Sequence, residues 1–124
     1  MILKDNLYKI QDTEETPEGV LYRITLNKQS PIYQAHFPQM PITPGACIIQ
    51  MVEELLADHV KMNLQISSVK NAKFLSMLVP TDDIIMIRFS SITHEDDEVK
   101  AQSVVIGESD VLYAKISIIC NVQC

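Results

Sequence analysis

One short segment of the sequence contains the residue types that catalysis commonly uses. The segment "HFPQMPITPGACIIQ" (36–50) begins with His36 and ends with Gln50. Imidazole titrates near neutral pH, so His36 is a candidate general base. The amide of Gln50 cannot supply a proton as an acid, but it can hold a water molecule or a hydroxyl group by hydrogen bonds. Without further support, a histidine among prolines is more often a loop residue with a satisfied hydrogen bond.

The residues Thr43, Pro44 and Gly45 predict the start of a helix. Thr43 suits the N-cap, and Pro44 suits the first helical position, where its missing N–H is not needed. The first N–H groups of a helix lack internal partners and carry partial positive charge. Because Gly45 lets a ligand approach the backbone, the N–H groups of Gly45 and Ala46 could hold a carbonyl oxygen. The same residues would also produce an ordinary capped helix start.

Apolar residues recur at helical spacing after this start, and the pattern fades around Met62 and Asn63. They form one wide stripe of Ile48, Ile49, Met51, Val52, Leu55, Leu56 and Val60. Gln50 lies on the opposite side, where either solvent or a second subunit could face it. Glu53 and Glu54 are interpreted as a solvated helix face, and Glu53 is the alternative candidate acid.

Strand-like segments lie on both sides of the helix. The order is two strands, a long loop (27–41), the helix and four more strands, of which the last three predict an antiparallel meander. An antiparallel sheet curled around one very apolar helix would bury both elements. We therefore predict an α+β domain covering residues 1–124. The predicted strands are Leu3–Ile10, 20–26, 65–75, 83–92, 99–106 and 111–120, with a turn-rich acidic link at 12–19.

Segment 36–50 resembles the signature of the hot-dog-fold (3R)-hydroxyacyl-ACP dehydratases, the FabZ- and FabA-like proteins. Their pattern is H-F-P-G-x-P-x-x-P-G followed by an acidic residue in the helix. The positions that match are His36, Phe37, Pro38, Pro41, Pro44 and Gly45. The segment "NAKFLSMLVPTDDIIMIRF" (71–89) resembles that family's post-helix strand, proline turn and next strand. Ala35 and Gln39 replace family glycines, and Gln50 stands where the family has its catalytic acid.

The resemblance implies a hot-dog fold and an obligate dimer whose two sheets join into one. It also implies an active site at the dimer interface, with the histidine from one subunit and the helix residue from the other. The acyl chain would enter a tunnel between the subunits, carried on the phosphopantetheine of an acyl carrier protein, so no resident cofactor is expected. Phe37, Met40 and Phe74 are the candidate tunnel residues, although core packing is the default for such side chains.

Dehydration of a 3-hydroxyacyl thioester needs a base at C2, a proton for the departing hydroxyl and stabilisation of the thioester oxygen. We assign His36 as base and proton shuttle, the N–H groups of Gly45 and Ala46 to the thioester oxygen, and Gln50 to the hydroxyl or a water. Two alternatives stay open. One is a hot-dog acyl thioesterase, in which Gln50 positions water. The other is a protein that binds acyl-ACP without catalysis.

Composition and charge limit the partners. The net charge of −6 disfavours nucleic-acid binding, and no apolar run has the length of a membrane span. Carrier proteins are acidic too, so docking would need a local basic patch, for which Lys70, Lys73 and Arg88 are candidates. A homodimer is expected, with a higher oligomer left open.

The cysteines and the remaining histidines give no sign of a further site. Cys47, Cys120 and Cys124 show no framework or metal-ligand spacing, and we interpret them as reduced thiols of a cytoplasmic protein without a metal site. The N-terminal residues do not resemble a signal peptide. Cys47 is interpreted as a packing residue, and His59 and His94 as surface residues.

Overall fold

The computed structural model describes residues 1–35 and 39–124, which form a six-stranded sheet and one long helix. The strands are β1 (Tyr8–Thr16), β2 (Gly19–Leu26), β3 (Leu64–Phe74), β4 (Ile85–Glu95), β5 (Glu98–Ile106) and β6 (Leu112–Val122). The helices are α1 (Pro31–Ala35), α2 (Gly45–Val60) and a 3-10 turn (Glu108–Asp110). None of the helices in these described ranges is long and apolar enough to cross a membrane.

The sheet is antiparallel throughout, with strand order β1-β2-β4-β5-β6-β3. Alternation in β2 shows how one face becomes core, because every second residue from Val20 to Leu26 is buried and the others are half-buried. The apolar stripe of α2 packs against this face and contributes Ile48, Met51, Val52, Leu55 and Leu56 to the core. The predicted α+β architecture and the β4-β5-β6 meander are confirmed.

The first strand begins later than the sequence predicts. The predicted first strand, Leu3–Ile10, is confirmed only for Tyr8–Ile10. Its first part is wrong, because Leu3 and Leu7 are buried in a turn closed by a bond from the Leu7 N–H to the Leu3 carbonyl, 2.7 Å long. Most of the acidic segment predicted as a link belongs instead to β1, which runs to Thr16. Charged side chains are common on edge strands, where they oppose pairing with other chains.

The start of α2 also differs from the prediction. Pro44 is the N-cap, with extended backbone angles (φ −60°, ψ 145°), and the first helical residue is Gly45. Thr43 is not the cap, because its buried hydroxyl is hydrogen-bonded to the Tyr33 hydroxyl at 2.8 Å. Its N–H donates to the carbonyl of Leu78, also at 2.8 Å. The segment before α2 is therefore tied to α1, a short helix inside the stretch that we predicted to be a long loop.

The backbone conformation of Lys61, the C-cap residue, ends α2. Lys61 adopts a left-handed conformation (φ 59°, ψ 41°), and its N–H donates to the carbonyl of Ala57. The Met62 N–H reaches the same carbonyl at 3.3 Å. The helix therefore ends close to the position that the fading apolar pattern predicted.

Candidate active site

His36 and Phe37, two of the predicted site residues, lie outside the residues that the structure describes. The pairing of His36 with Gln50 and the tunnel role of Phe37 therefore stay predictions. The remaining predicted residues belong to α2, to β3 and to the short segments next to them.

The beginning of α2 presents two backbone donors. The N–H groups of Cys47 and Ile48 both donate to the Pro44 carbonyl, at 3.0 and 3.1 Å. The N–H groups of Gly45 and Ala46 come just before them, and no residue in the described part of the chain accepts a hydrogen bond from either. Two adjacent donors at the positive end of a sixteen-residue helix can bind a carbonyl oxygen that gains negative charge.

The aromatic ring of Phe74 lies across Gly45. A Cβ atom at position 45 would lie 2.8 Å from Cζ of Phe74, closer than real contacts allow. A larger residue at this position would therefore require the Phe74 ring to shift. The space beside Gly45 is therefore occupied by the Phe74 ring, whereas the sequence predicted that the glycine leaves room for a ligand.

An apolar cavity of about 440 Å³ opens beside this helix start. Its lining includes Pro44, Gly45, Ile48, Phe74, Leu75 and Met77. Phe74 thus lies at the helix start, as the tunnel interpretation requires, and it is 48% exposed. Met40 is 61% exposed and is not among the residues that line this cavity.

Gln50 opens onto a different cavity, of about 600 Å³. This second cavity lies between the N-terminal residues and the outer face of α2, and its lining includes Met1, Ile2, Lys4, Gln50, Glu54 and Asp58. Within the described part of one chain, Gly45 at the helix start and Gln50 therefore line separate cavities.

The side chain of Gln50 is held by neighbours. Its Nε2 donates to Oε2 of Glu54 at 2.9 Å and also to the carbonyl of Met1. This contact was not predicted, although its signal is present in the sequence, because glutamine and an acidic residue four positions apart on a helix can form a hydrogen-bonded pair.

The interpretation of Glu53 and Glu54 as a solvated face is wrong. Both are half-buried and accept hydrogen bonds from other parts of the chain. Glu53 accepts from the Ile66 N–H at 2.8 Å, and Glu54 accepts from the Leu3 and Lys4 N–H groups at 2.8 and 2.9 Å. Both carboxylates therefore act as hydrogen-bond acceptors for backbone N–H groups of other segments.

Two buried tyrosines connect the sheet to the face of α2 that carries Glu54 and Asp58. The Tyr8 hydroxyl donates to Glu54 at 2.9 Å, and the Tyr22 hydroxyl donates to Asp58 at 2.7 Å. Burial raises the pKa of both phenols, and the neighbouring carboxylates raise the pKa further because they disfavour a phenolate. Both phenols therefore remain neutral donors that anchor the helix to the sheet.

Cys47 and Cys120 behave as packing residues rather than nucleophiles. Burial raises the pKa of the Cys47 thiol. Cys120 is fully buried, and burial together with the charge of Glu53 raises its pKa to about 12. A thiol with a raised pKa is a poor nucleophile at neutral pH, which agrees with the packing interpretation of Cys47.

The basic residues considered for carrier docking share the outer face of the sheet. Strand register places Arg88 opposite Val104, Val104 opposite Lys115, and Lys115 opposite Lys73. These three cations are exposed. Lys70 and Lys100 line a neighbouring surface cavity of about 450 Å³. The candidates Lys70, Lys73 and Arg88 thus lie on one face together with Lys100 and Lys115, which we call the basic face.

Comparison with known proteins identifies relatives among dehydratases. A model of the ApeI-like family, described as ApeI dehydratase, matches residues 11–106. The 3-hydroxyacyl-acyl-carrier-protein dehydratase FabZ of Clostridium acetobutylicum is 33% identical over 66% of this chain. FabZ of Streptococcus gordonii is 30% identical over 69% of the chain. The alignments span 60% and 63% of the length of these two relatives.

Solved structures show the same fold. The dehydratase heterocomplex ApeI:P from Xenorhabdus doucetiae superposes with a TM-score of 0.72 at 16% identity, covering 91% of this chain and 96% of that one. A hypothetical thioesterase with coenzyme A from Streptococcus pneumoniae gives a TM-score of 0.64 at 9% identity, covering 94% and 85%. These likenesses confirm the predicted hot-dog fold.

Proposed function

This chain belongs to the ApeI-like family of dehydratases, and we propose that it dehydrates 3-hydroxyacyl thioesters carried by an acyl carrier protein. The observation that carries the proposal is the start of α2, where Gly45, the first of two adjacent residues with unpartnered N–H groups, lines an apolar cavity. Such a site suits a thioester oxygen with an acyl chain beside it. The names of the FabZ relatives support the same substrate class.

In the proposed reaction, His36 removes a proton from C2 of the acyl chain. The N–H groups of Gly45 and Ala46 stabilise the negative charge that develops on the thioester oxygen. Gln50 orients the hydroxyl on C3, and His36 returns its proton to that oxygen as the C3–O bond breaks. The products are water and a thioester with a double bond between C2 and C3, so the reaction needs no cofactor beyond the carrier's phosphopantetheine.

We propose that the complete site forms between two subunits. The Gln50 side chain and the helix start line separate cavities in one chain, so a second subunit is the simplest way to bring them together. β3 lies at an edge of the sheet and exposes apolar side chains, among them Val69 at 43% and Phe74 at 48%. A second copy of this chain would cover this edge by strand pairing.

The oligomeric state can be tested by native mass spectrometry. We expect the native chain to be a dimer and Val69→Asp to be a monomer. Thr93→Asp, which adds the same charge at an exposed position of β4, should remain a dimer. The native chain could instead be a monomer alone and form a complex with a related dehydratase subunit. That result would favour a heterodimer over the proposed homodimer. The description of the Xenorhabdus neighbour as a heterocomplex motivates this alternative.

The basic face is the proposed docking surface for the acidic carrier. Replacing Lys73 and Lys115 by glutamate should lower kcat/KM for a carrier-bound substrate about tenfold and leave kcat/KM for the corresponding pantetheine thioester unchanged. Lys9→Glu, an exposed change on β1, is the matched control. An equal loss with both substrates would contradict a docking role.

The reaction itself is tested by mass spectrometry of a 3-hydroxyacyl-ACP incubated with the protein. Loss of water is the expected result, and His36→Ala should abolish it. Release of free acid would instead indicate a thioesterase in which Gln50 positions water. A substrate that stays bound and unchanged would indicate a carrier-binding protein without catalysis.

A further inference from the structure

The carboxylate of Glu54 accepts four hydrogen bonds. Its Oε1 accepts from the Lys4 N–H and the Tyr8 hydroxyl, each at 2.9 Å. Its Oε2 accepts from the Leu3 N–H at 2.8 Å and from Nε2 of Gln50 at 2.9 Å. These four donors fix the orientation of the Glu54 carboxyl group and occupy both of its oxygens as acceptors.

These contacts also determine which way the amide of Gln50 faces. Its two observed partners, Oε2 of Glu54 and the carbonyl of Met1, are both acceptors. The amide nitrogen must therefore face them, because the opposite orientation would place Oε1 against two acceptors. Both amide hydrogens are used in this way. Within residues 1–35 and 39–124, no donor reaches Oε1 of Gln50.

We propose that Glu54 is a positioning residue that makes Gln50 a hydrogen-bond acceptor toward the substrate. This inference rests on the proposed function. The group that Gln50 can offer to a ligand is Oε1, which binds a donor such as the hydroxyl of a 3-hydroxyacyl chain. A 3-oxoacyl chain carries only an acceptor at that carbon and gains no bond there. The pair thus selects the 3-hydroxyacyl substrate over the 3-oxoacyl chain.

The same geometry assigns the proton that the departing hydroxyl needs. Gln50 has no amide hydrogen left to donate, and Glu54 has four donors around its oxygens. The proton must come from another group, which in the proposed reaction is His36.

The test measures the ratio of dissociation constants for 3-oxooctanoyl-pantetheine and 3-hydroxyoctanoyl-pantetheine by calorimetry. All variants carry His36→Ala in addition, so that the hydroxyacyl probe is not consumed. We expect the parent to prefer the hydroxyacyl probe by about tenfold, the effect of one hydrogen bond. Glu54→Gln should remove most of this preference, because the amide of Gln50 can then turn and donate to the oxo group.

Two further variants separate positioning from a purely structural role. Tyr8→Phe removes a different donor to Glu54 and leaves the bond to Gln50, so it should lower the melting temperature without changing the ratio. Gln50→Met should abolish the preference. If Glu54→Gln does not fold, Glu54→Asp serves instead, since its shorter side chain withdraws from Gln50 and should also reduce the ratio.

The outcomes distinguish this inference from the proposed reaction. An unchanged ratio in the Glu54 variant, with a reduced ratio in Gln50→Met, overturns the positioning role alone. An unchanged ratio in Gln50→Met overturns the contact between Gln50 and the hydroxyl, and the inference with it. Dehydration is measured separately on the native chain, so its failure does not alter the binding ratios.

Discussion

Gln50 and Glu54 form a hydrogen-bonded pair across one turn of α2, with 2.9 Å between Nε2 and Oε2. The position at which the resembled family carries an acid is therefore occupied by an amide that is bonded to an acid one turn further along. This neighbour also ties the N-terminal residues to the helix through Leu3 and Lys4. The amide at position 50 is therefore part of a hydrogen-bond network that Glu54 extends to the N-terminal residues.

Restoring an acid at position 50 should therefore cost stability in a pH-dependent way. Gln50→Glu places two carboxylates within hydrogen-bonding distance, and the pair binds one proton more tightly when folded than two separate glutamates do when unfolded. The loss of stability relative to the native chain is therefore smallest in acid and grows as pH rises. We expect a loss of about 1–3 kcal/mol at neutral pH relative to the native chain.

Thermal unfolding of the variant and the native chain at about pH 5 and about pH 8 measures this effect. The variant Gln50→Glu/Glu54→Gln, which transposes the pair, is the control and should be more stable than Gln50→Glu at the higher pH. A loss relative to the native chain that is equal at both pH values would contradict the argument. The activity of Gln50→Glu is a separate result: an increase in dehydration would mark the native site as a weakened dehydratase, and a decrease would make the amide part of its mechanism.

The close packing of Phe74 on Gly45 gives a second prediction. Gly45→Ala should destabilise the protein by up to about 1 kcal/mol, because the half-exposed ring must shift to make room for the new Cβ. Denaturant unfolding of Gly45→Ala, Phe74→Ala and the double variant measures the coupling. The cost of Gly45→Ala should largely disappear in the Phe74→Ala background. A cost that is the same in both backgrounds would show that the ring is not its cause.

The buried hydroxyl pair of Tyr33 and Thr43 gives a third prediction. Both residues are almost fully buried, at 1% and 3% exposure, so removing one hydroxyl leaves the other without a partner. Thr43→Val should cost about 1–3 kcal/mol of unfolding free energy. Adding Tyr33→Phe should recover part of this loss, because no unpaired polar group then remains. Additive losses in chemical denaturation would rule out this coupling.

Thiol reactivity gives a fourth prediction. At about pH 8, alkylation should modify exposed Cys124 quickly, Cys47 slowly and Cys120 only after unfolding. Mass spectrometry of the peptides after timed iodoacetamide treatment measures the three rates. Rapid modification of Cys120 in the folded protein would contradict its buried position.

The raised pKa of Cys120 also sets the sign of its effect on stability. Burial favours the neutral thiol in the folded state, so its contribution is fully present below the ordinary thiol pKa of about 8.5. It is lost as pH rises toward the folded value of about 12. Cys120→Ala should therefore flatten the decline in stability above about pH 9, measured by unfolding at a series of alkaline pH values.

Much of the fold was predictable because periodic burial determines it. Alternation in β2 and β6 and the apolar stripe of α2 are local patterns, and each needs a buried face. The boundary errors arose where local and tertiary preferences differ. Asp12 and Glu14 resemble turn residues, yet they lie in β1, where Arg23 of β2 pairs with both. Thr43 resembles an N-cap, yet its hydroxyl bonds to Tyr33 instead.

The candidate site was predictable in part, through the helix-start residues and the motif. The backbone donors at Gly45 and Ala46 follow from any helix that begins after Pro44, because the first N–H groups have no partner inside the helix. The role of Glu54 was not predictable, because three of its four donors come from Leu3, Lys4 and Tyr8. A sequence pattern does not show which distant backbone groups will meet a carboxylate.

The sequence by itself determined the α+β class, the long apolar helix, its proline-marked start and the exchange of acid for amide at position 50. These properties depend on residue type and on spacing along a single element. Only the tertiary structure decided that Phe74 covers Gly45, that Glu54 meets donors from Leu3, Lys4 and Tyr8, and that Lys73, Lys115 and Arg88 share one face. Each of these contacts joins residues that are brought together by the packing of the sheet and helix, so the folded chain alone determines them.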